Sequence, residues 1–427
     1  MSDKARRRPV KPPSPHDLDA DPLIPGAPTP EDCLTLAYDL MDQGRLADAE
    51  ALLGTTLEGP HEAQCPAILR ELRLRLLIDL GRAAEAATLI RPRFESGEAS
   101  LSETKLLADA LETVGDHEGA ARALTSALYL DGSDARLMVA LGRVQLAAGL
   151  EPQAIESFAR ALRLDPENAA AQFHTGETWT RLDETAKALN AYRSALTLDP
   201  DDRLGARLRI ADLEGAAPPA KASPAYVRHL FDGYAARYDT HMQETLRYRG
   251  PALLAERFAA LATPRPKSLD ILDLGCGTGL SGAPFASFAR SMTGIDLSPA
   301  MLAQARATGQ YSALESGDAA AWAGSHPQSA DLVLACDVLI YLGDLAPIFA
   351  SARTALRAGG HFIFSTEKAP EGACFELGPT RRFRHGPDYV TAILAESGFQ
   401  LLCLEEDWMR TERRTPVPAL IGIAQAG

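Results

Sequence analysis

The stretch LDLGCGTGLSG, residues 272–282, puts four glycines within eight residues, just behind an acid. Glycines at this density let a backbone lie against a ligand and turn its amides toward it. Two fingerprints overlap here, G-x-G-x-G from Gly275 and G-x-G-x-x-G from Gly277. The second is the pyrophosphate signature of dinucleotide-binding proteins, and it requires its first glycine directly after a strand. The apolar residues Leu269, Ile271, Leu272 and Leu274 predict a strand that ends at Leu274. Counting from Gly277 therefore starts two residues late, and counting from Gly275 puts Leu280 at the third glycine. The dinucleotide match is out of register, and the carboxylate of Asp273 would repel a pyrophosphate.

Further signals follow at strand-like spacings. SMTGIDLSPAML ends a second strand at Asp296, after which Ser298 caps a helix opened by Pro299. LESGDAAAW supplies Gly317 and Asp318, ADLVLACDVLIYL reads as a fourth strand, and LRAGGHFIFSTE as a fifth behind a Gly359-Gly360 turn. SGFQLLCLEE and PALIGIAQA are the last apolar stretches of the chain. With these, Asp273 to Gly279 resembles motif I of the class I S-adenosylmethionine-dependent methyltransferases, over residues 224–427. The resemblance implies a Rossmann-like, seven-stranded α/β domain with S-adenosylmethionine as cofactor. It implies that Gly275, Cys276, Gly277 and Gly279 approach the methionine and ribose portions and that Asp273 meets the amino group. Asp296, with Leu297 beside it, would accept the ribose hydroxyls, and Asp318 with the Ala319 backbone would meet the adenine.

Methyl transfer from a sulfonium is an in-line displacement, so alignment and water exclusion come first, and a base is needed only if the acceptor must lose a proton. The run Ala335-Cys336-Asp337-Val338 lacks the paired prolines of enzymes that methylate exocyclic or amide nitrogens, and Cys336 lacks the Pro-Cys context of a nucleophile. A small buried residue is the plainer reading of that cysteine. Before motif I, HLFDGYAARYDTHMQETLRYRGP resembles the helical lid of small-molecule methyltransferases, which implies that Tyr234 and Tyr238 lie over the cofactor, within a lid of residues 224–262. Tyr248 and Arg249 follow as candidate substrate residues. Between strands five and six, GPTRRFRHGPDYV offers Arg382 and Arg384, and Arg410 lies farther on; such arginines could hold an anionic acceptor bidentately. The same loop could equally be a solvated basic surface. His385 is a candidate general base or a structural histidine, and Tyr341 is a comparable catalytic candidate. No metal site is expected.

In front of this domain, LGRVQLAAGLEPQAIESFARALRLDPEN is followed by TGETWTRLDETAKALNAYRSALTLDPDD. Gly142 pairs with Gly176, Ala154 with Ala188, Phe158 with Tyr192, Ala161 with Ala195 and Pro166 with Pro200, each 34 residues apart. Small residues let two helices cross closely, an aromatic ring fills the gap, and proline stops the second helix. The pattern resembles the tetratricopeptide repeat. Weaker units precede it, about five in all over residues 29–202. The resemblance implies an α-solenoid that holds a protein partner. Residues 203–223 read as a linker, and residues 1–28 as a disordered basic, proline-rich tail.

The 427 residues call for more than one domain. A net charge of −14 argues against broad nucleic-acid binding. No apolar run is long enough to span a membrane. Six scattered cysteines, with no C-x-x-C, suit neither a zinc ribbon nor a disulfide framework and point to a cytoplasmic setting. The expected architecture is an α-solenoid followed by a Rossmann-like class I methyltransferase domain. The expected reaction is S-adenosylmethionine-dependent methylation of a small anionic oxygen nucleophile, a carboxylate or hydroxyl. A protein acceptor held by the repeats and a non-catalytic scaffold are the alternatives. A dinucleotide oxidoreductase finds no Tyr-x-x-x-Lys to support it.

Overall fold

A computed structural model describes residues 29–58 and 66–427; the expected tail and Cys65 lie outside the described residues. The described residues form two compact units divided after Ala127. The first consists of helices from Pro30–Asp42 to Leu101–Thr113 and most of His117–Leu130. Two of its helices start with full capping boxes, Thr29 with Asp32 and Ser100 with Glu103. The first three helices of this unit share a core that includes Ala37, Ala49, Leu53, Leu69 and Leu76.

The second unit opens with two helix pairs, Ala135–Ala147 with Glu151–Leu164 and Ala169–Arg181 with Thr185–Leu198. The repeat logic is visible in atomic detail. Phe158 packs against Gly142 and Tyr192 against Gly176, so closely that an added Cβ would lie 2.4 Å from the first ring and 2.7 Å from the second. Asp165 and Asp199 end their helices ahead of the Pro166 and Pro200 positions.

The stretch expected as a linker is largely ordered. Ala206–Glu214 is a helix whose Ala206, Ile210 and Leu213 pack on Phe173, Tyr192 and Ala195 of the last repeat. Its Leu208 faces the other way, onto Phe383, Tyr226 and Tyr341. Alternating apolar contacts on two sides turn a tether into a joint. Arg209 adds an ion pair with Glu177 at 2.5 Å, largely shielded from water.

The remainder is a three-layer α/β domain. Its strands are β1 (Leu269–Leu274), β2 (Ala289–Asp296), β3 (Ala313–Ser316), β4 (Ala330–Ala335), β5 (Leu356–Lys368), β6 (Phe375–Leu377), β7 (Phe383–His385), β8 (Phe399–Glu412) and β9 (Thr415–Ala426). The seven expected strands run β3-β2-β1-β4-β5-β9-β8, parallel except for β9, which lies antiparallel between β5 and β8. The hairpin β6-β7 is an addition: β7 pairs with Glu367 and Lys368, where β5 extends to and beyond its last partner on β9. Strand alternation divides the core. Leu272, Leu274, Val333, Phe362 and Phe364 meet the helices Ala346–Ala355 and Pro387–Glu396, while Ile271, Leu332, Leu334 and Ile363 meet Gly250–Ala262. Strand order reverses where β1 lies between β2 and β4, which opens a crevice at the carboxyl ends of these strands.

Gly142→Ala tests the repeat packing. Helix propensity alone would favour alanine by about 1 kcal/mol, but a methyl pressed on the Phe158 ring costs about 1–3 kcal/mol. The expected net effect is a loss of stability read by urea unfolding, and a raised midpoint would show that the ring yields freely.

Candidate functional site

The crevice holds a cavity of about 300 Å³. It is lined by Gly275, Gly277, Asp296 and Leu297, by Gly317, Asp318 and Ala319, and by Tyr238, Cys336, Asp337 and Tyr341. Gly275 sits at φ +70° with Val338 against its Cα side, where a Cβ would come within 2.3 Å of a valine methyl. Only glycine fits there, which is the physical reason for the first glycine of the loop.

Asp296 ends β2 and receives the amide of Gly277 on Oδ2 at 2.9 Å and that of Ser298 on Oδ1 at 2.8 Å. Burial nevertheless raises its pKa, against the pull of these two amides. Its oxygens retain acceptor capacity toward the cavity, and a vicinal diol would supply the donors that such a carboxylate lacks. Leu297, Met301, Ala320 and Ile348 form an apolar slot beside it. This donor and acceptor set, with the glycine-floored end, fits a nucleoside bearing a polar tail.

Asp318 caps the helix Ala319–Ser325 through Oδ1, which accepts from Ala320 and Ala321, and its Oδ2 receives Lys221 at 3.2 Å. Burial would raise the pKa of this carboxyl, but the Ala321 amide and Lys221 outweigh it and the net shift is downward. Lys221 belongs to a strap, residues 220–222, that hydrogen-bonds to residues 341–344 through Ala222 N to Tyr341 O and Gly343 N to Ala220 O. The strap forms one wall of the cavity. Sequence reasoning missed it, because small residues in an Ala/Pro-rich stretch signal only a linker.

A second wall is the helical segment from Pro224 onward. Three tethers hold it over the strand ends: Arg228 Nε to Leu297 O at 3.0 Å, Ser298 Oγ to Asp232 at 2.5 Å and Thr278 Oγ1 to Asp239 at 2.6 Å. Phe231 and Tyr238 line the cavity from this side, and the Phe231 ring meets Tyr341 edge-on at 5.5 Å. Burial raises the phenol pKa of both Tyr238 and Tyr341, so both are neutral donors at physiological pH.

Several of the expected residues lie outside the cavity lining. Asp273 does not line the cavity. Strand alternation carries it to the side of Ile271, where it is fully buried and accepts from Ser281 and Tyr311 on Oδ2 at 2.8 and 2.7 Å. Burial pushes its pKa up to about 6. Cys276 and Gly279 are also outside the lining: Cys276 is buried with its thiol pKa raised, and Gly279 closes a turn onto Cys276 O. Tyr234 turns away and hydrogen-bonds His241.

His385 lies outside the cavity lining, in the structural setting that was the other reading of it. It is 0% exposed on β7, with Nδ1 bonded to the Thr366 hydroxyl and Nε2 to the carbonyls of Leu342 and Gly343. Desolvation lowers its pKa to about 4, and both ring nitrogens are occupied. The arginines are not a free anion clamp either. Arg382 pairs with Glu367 and Glu412, and Arg384 lies near Glu367 and Glu376. Arg410, 3% exposed, places Nη1 on both oxygens of Asp337 at 2.7 and 2.6 Å and Nη2 on Glu367. The surrounding acids were the missing signal, since Glu367, Asp337 and Glu412 are scattered along the sequence. Tyr248 donates to or accepts from Cys336 Sγ at 3.1 Å, and Arg249 stacks on Trp408 and pairs with Asp407; neither lines the cavity.

Residues 272–364 match the model of a methyltransferase domain, and residues 105–165 and 140–203 match that of the tetratricopeptide repeat. Among curated relatives, the chain is similar to methyltransferase-like protein 27 of Homo sapiens, 40% identical over 87 residues, which is 20% of this chain and 35% of that one. It is 30% identical over 129 residues to the ubiquinone biosynthesis O-methyltransferase of Stutzerimonas stutzeri, covering 29% of this chain and 53% of the relative. The chain thus spans about a third to a half of these relatives. Among solved structures it is similar to an S-adenosylmethionine-dependent methyltransferase from Mesorhizobium loti, 27% identical, covering 41% of this chain and all of that one, with a TM-score of 0.32. The chain thus joins a stretch that matches tetratricopeptide repeats to one that matches a methyltransferase domain.

The buried neutral His385 makes a pH prediction with a definite sign. Its pKa is lower in the folded chain, so the unfolded chain binds the extra proton and stability falls as pH drops from about 6.5 to about 4. The full loss is about 3 kcal/mol. In His385→Gln the pH dependence of urea unfolding across that window should be shallower, and an unchanged slope would show that the imidazole titrates normally.

Proposed function

We propose that the protein transfers the methyl group of S-adenosylmethionine to a small acceptor bound in this cavity, while its repeats hold a protein partner. The observation that carries the reading is the convergence of Gly275, Gly277, Asp296, Leu297, Asp318 and Ala319 on one enclosed crevice. In this reading Asp296 accepts the ribose hydroxyls, the glycine floor admits the methionine portion, and the Ala319 backbone meets the adenine edge. The cofactor supplies a methyl group on a sulfonium, an electrophile that needs no further activation. The chain's part is alignment and exclusion of water. The tethered helix bearing Phe231 and Tyr238 and the strap bearing Lys221 do this together.

The acceptor enters where Tyr238, Tyr341, Cys336 and Asp337 meet. Of the oxygen nucleophiles expected from sequence, a hydroxyl suits this end, because Arg382, Arg384 and Arg410 are already matched by acids and offer no spare charge to a carboxylate. Tyr341, a neutral phenol in the cavity wall, is placed to orient that acceptor. Two covering walls favour a small acceptor over a protein side chain. Domain bounds of 29–202 and 224–427, joined by 203–223, remain part of this proposal. So does a cytoplasmic setting, which the five described cysteines, all free, support. No helix of the described residues is long and apolar enough to cross a membrane.

Asp296→Ala should weaken S-adenosylmethionine binding by roughly 1.5–3 kcal/mol, about 10- to 150-fold, as expected for lost hydrogen bonds to a charged group. Calorimetric titration measures it, with NADH as the ligand that should not bind. Unchanged affinity in the variant would refute the assignment of β2.

A further inference from the structure

The acceptor end of the cavity contains a carboxylate that methyl donor binding does not use. We propose that Asp337 is the catalytic carboxylate that orients the acceptor, and that the acceptor is a hydrogen-bearing nucleophile, an amine or a hydroxyl, and not a carboxylate. The proposal rests on the methyl-transfer reading and adds to it the class of acceptor.

Asp337 follows directly on β4 and lines the cavity beside Cys336 and Val338. Its backbone sits at φ +62°, a conformation that non-glycine residues adopt at a cost and that recurs at functional positions. That conformation is held from two sides. The Asp337 amide donates to Ser365 Oγ at 3.0 Å, and Arg410 Nη1 grips both carboxylate oxygens. Arg410 is in turn fixed by Glu367, which is 3% exposed and also receives Arg382. Burial opposes the charge on Arg410, but Asp337 and Glu367 hold its pKa above the ordinary value, so it is a permanent cation. Arg410 is therefore a positioning residue. It spends one guanidinium nitrogen on Asp337, whose oxygens keep acceptor capacity, and the Asp337 side chain keeps 13% exposure.

The charges around the cavity select the acceptor. Four carboxylates line it: Asp296, Asp318, Asp337 and Asp344. The lining cation is Lys221, and it is already paired with Asp318. The aromatic faces nearby, Phe231, Tyr238 and Tyr341, add negative quadrupoles. A carboxylate acceptor would enter this field without a cationic partner, whereas an N–H or O–H would find Asp337. In the reaction the lone pair of the nucleophile forms the new bond to the methyl carbon. The electrons of the carbon–sulfur bond stay on sulfur, leaving a neutral thioether. The hydrogen on the nucleophile, made acidic as its atom becomes positive, passes to Asp337 and from there to water.

The test needs no acceptor. Sinefungin carries a protonated amine where the methyl donor carries its methyl, so it presents N–H groups toward the acceptor end; S-adenosylhomocysteine carries none. Each is titrated calorimetrically into the full chain and into Asp337→Asn, a residue of the same size that tolerates positive φ. Wild type should bind sinefungin at least about tenfold more tightly than S-adenosylhomocysteine, the scale of one charge-assisted hydrogen bond. In Asp337→Asn the preference should fall below about threefold, the ratio being taken within the variant so that a loss common to both ligands cancels. Equal affinities in wild type, or a preference that survives in the variant, would overturn the proposal while leaving methyl transfer standing. If neither ligand binds wild type, methyl transfer itself fails and the proposal with it. Should Asp337→Asn not fold, the wild-type ratio alone decides.

Discussion

A guanidinium sealed from water at Arg410 is the constraint around which the Asp337 side of the cavity is arranged. A buried cation is tolerated only when carboxylates surround it. Here they arrive from three places: Asp337 at the end of β4, Glu367 within β5 and Glu412 at the end of β8. Meeting that demand draws an antiparallel edge strand, a central strand and a strand-end turn to one point. It also fixes the cavity floor, because Asp337 cannot swing away without stranding the arginine. Breaking such a cluster from one side costs about 3–5 kcal/mol, more than most single contacts contribute.

Everything above that floor is held by lighter means. Hydroxyl-to-carboxylate bonds from Thr278 to Asp239 and from Ser298 to Asp232, and one arginine-to-carbonyl bond, keep the helical wall closed. Each is worth about 1–3 kcal/mol at most. The contrast suits a site whose floor must stay put while its walls admit and release a nucleoside.

The sequence was most informative where the backbone itself is constrained. Gly275 is glycine because Val338 leaves no room, and Gly142 and Gly176 are glycine because rings occupy the space of a side chain. Such requirements leave a fixed residue at a fixed spacing, and the loop register and the 34-residue repeat were legible for that reason. Asp296 was legible because a strand end followed by Ser298-Pro299 has one plausible geometry. Side-chain partnerships across long separations were not. His385 and the arginines read as reactive because Thr366, Leu342, Glu367 and Glu412 lie 19 to 43 residues away or on other strands. Asp273 lies on the strand face opposite Leu272 and Leu274, so period two carries it outside the cavity lining with Oδ1 still free to accept.

The strap at 220–222 has a consequence for where a fragment of this chain could begin. The family model's match begins at residue 272, and part of the cavity wall comes from chain that precedes even the helical covering segment. Upstream of that wall, the 206–214 helix is wedged between the last repeat and the hairpin of β6 and β7. A fragment that began at the family motif would therefore lack the strap of residues 220–222, and its pocket would be open on that side.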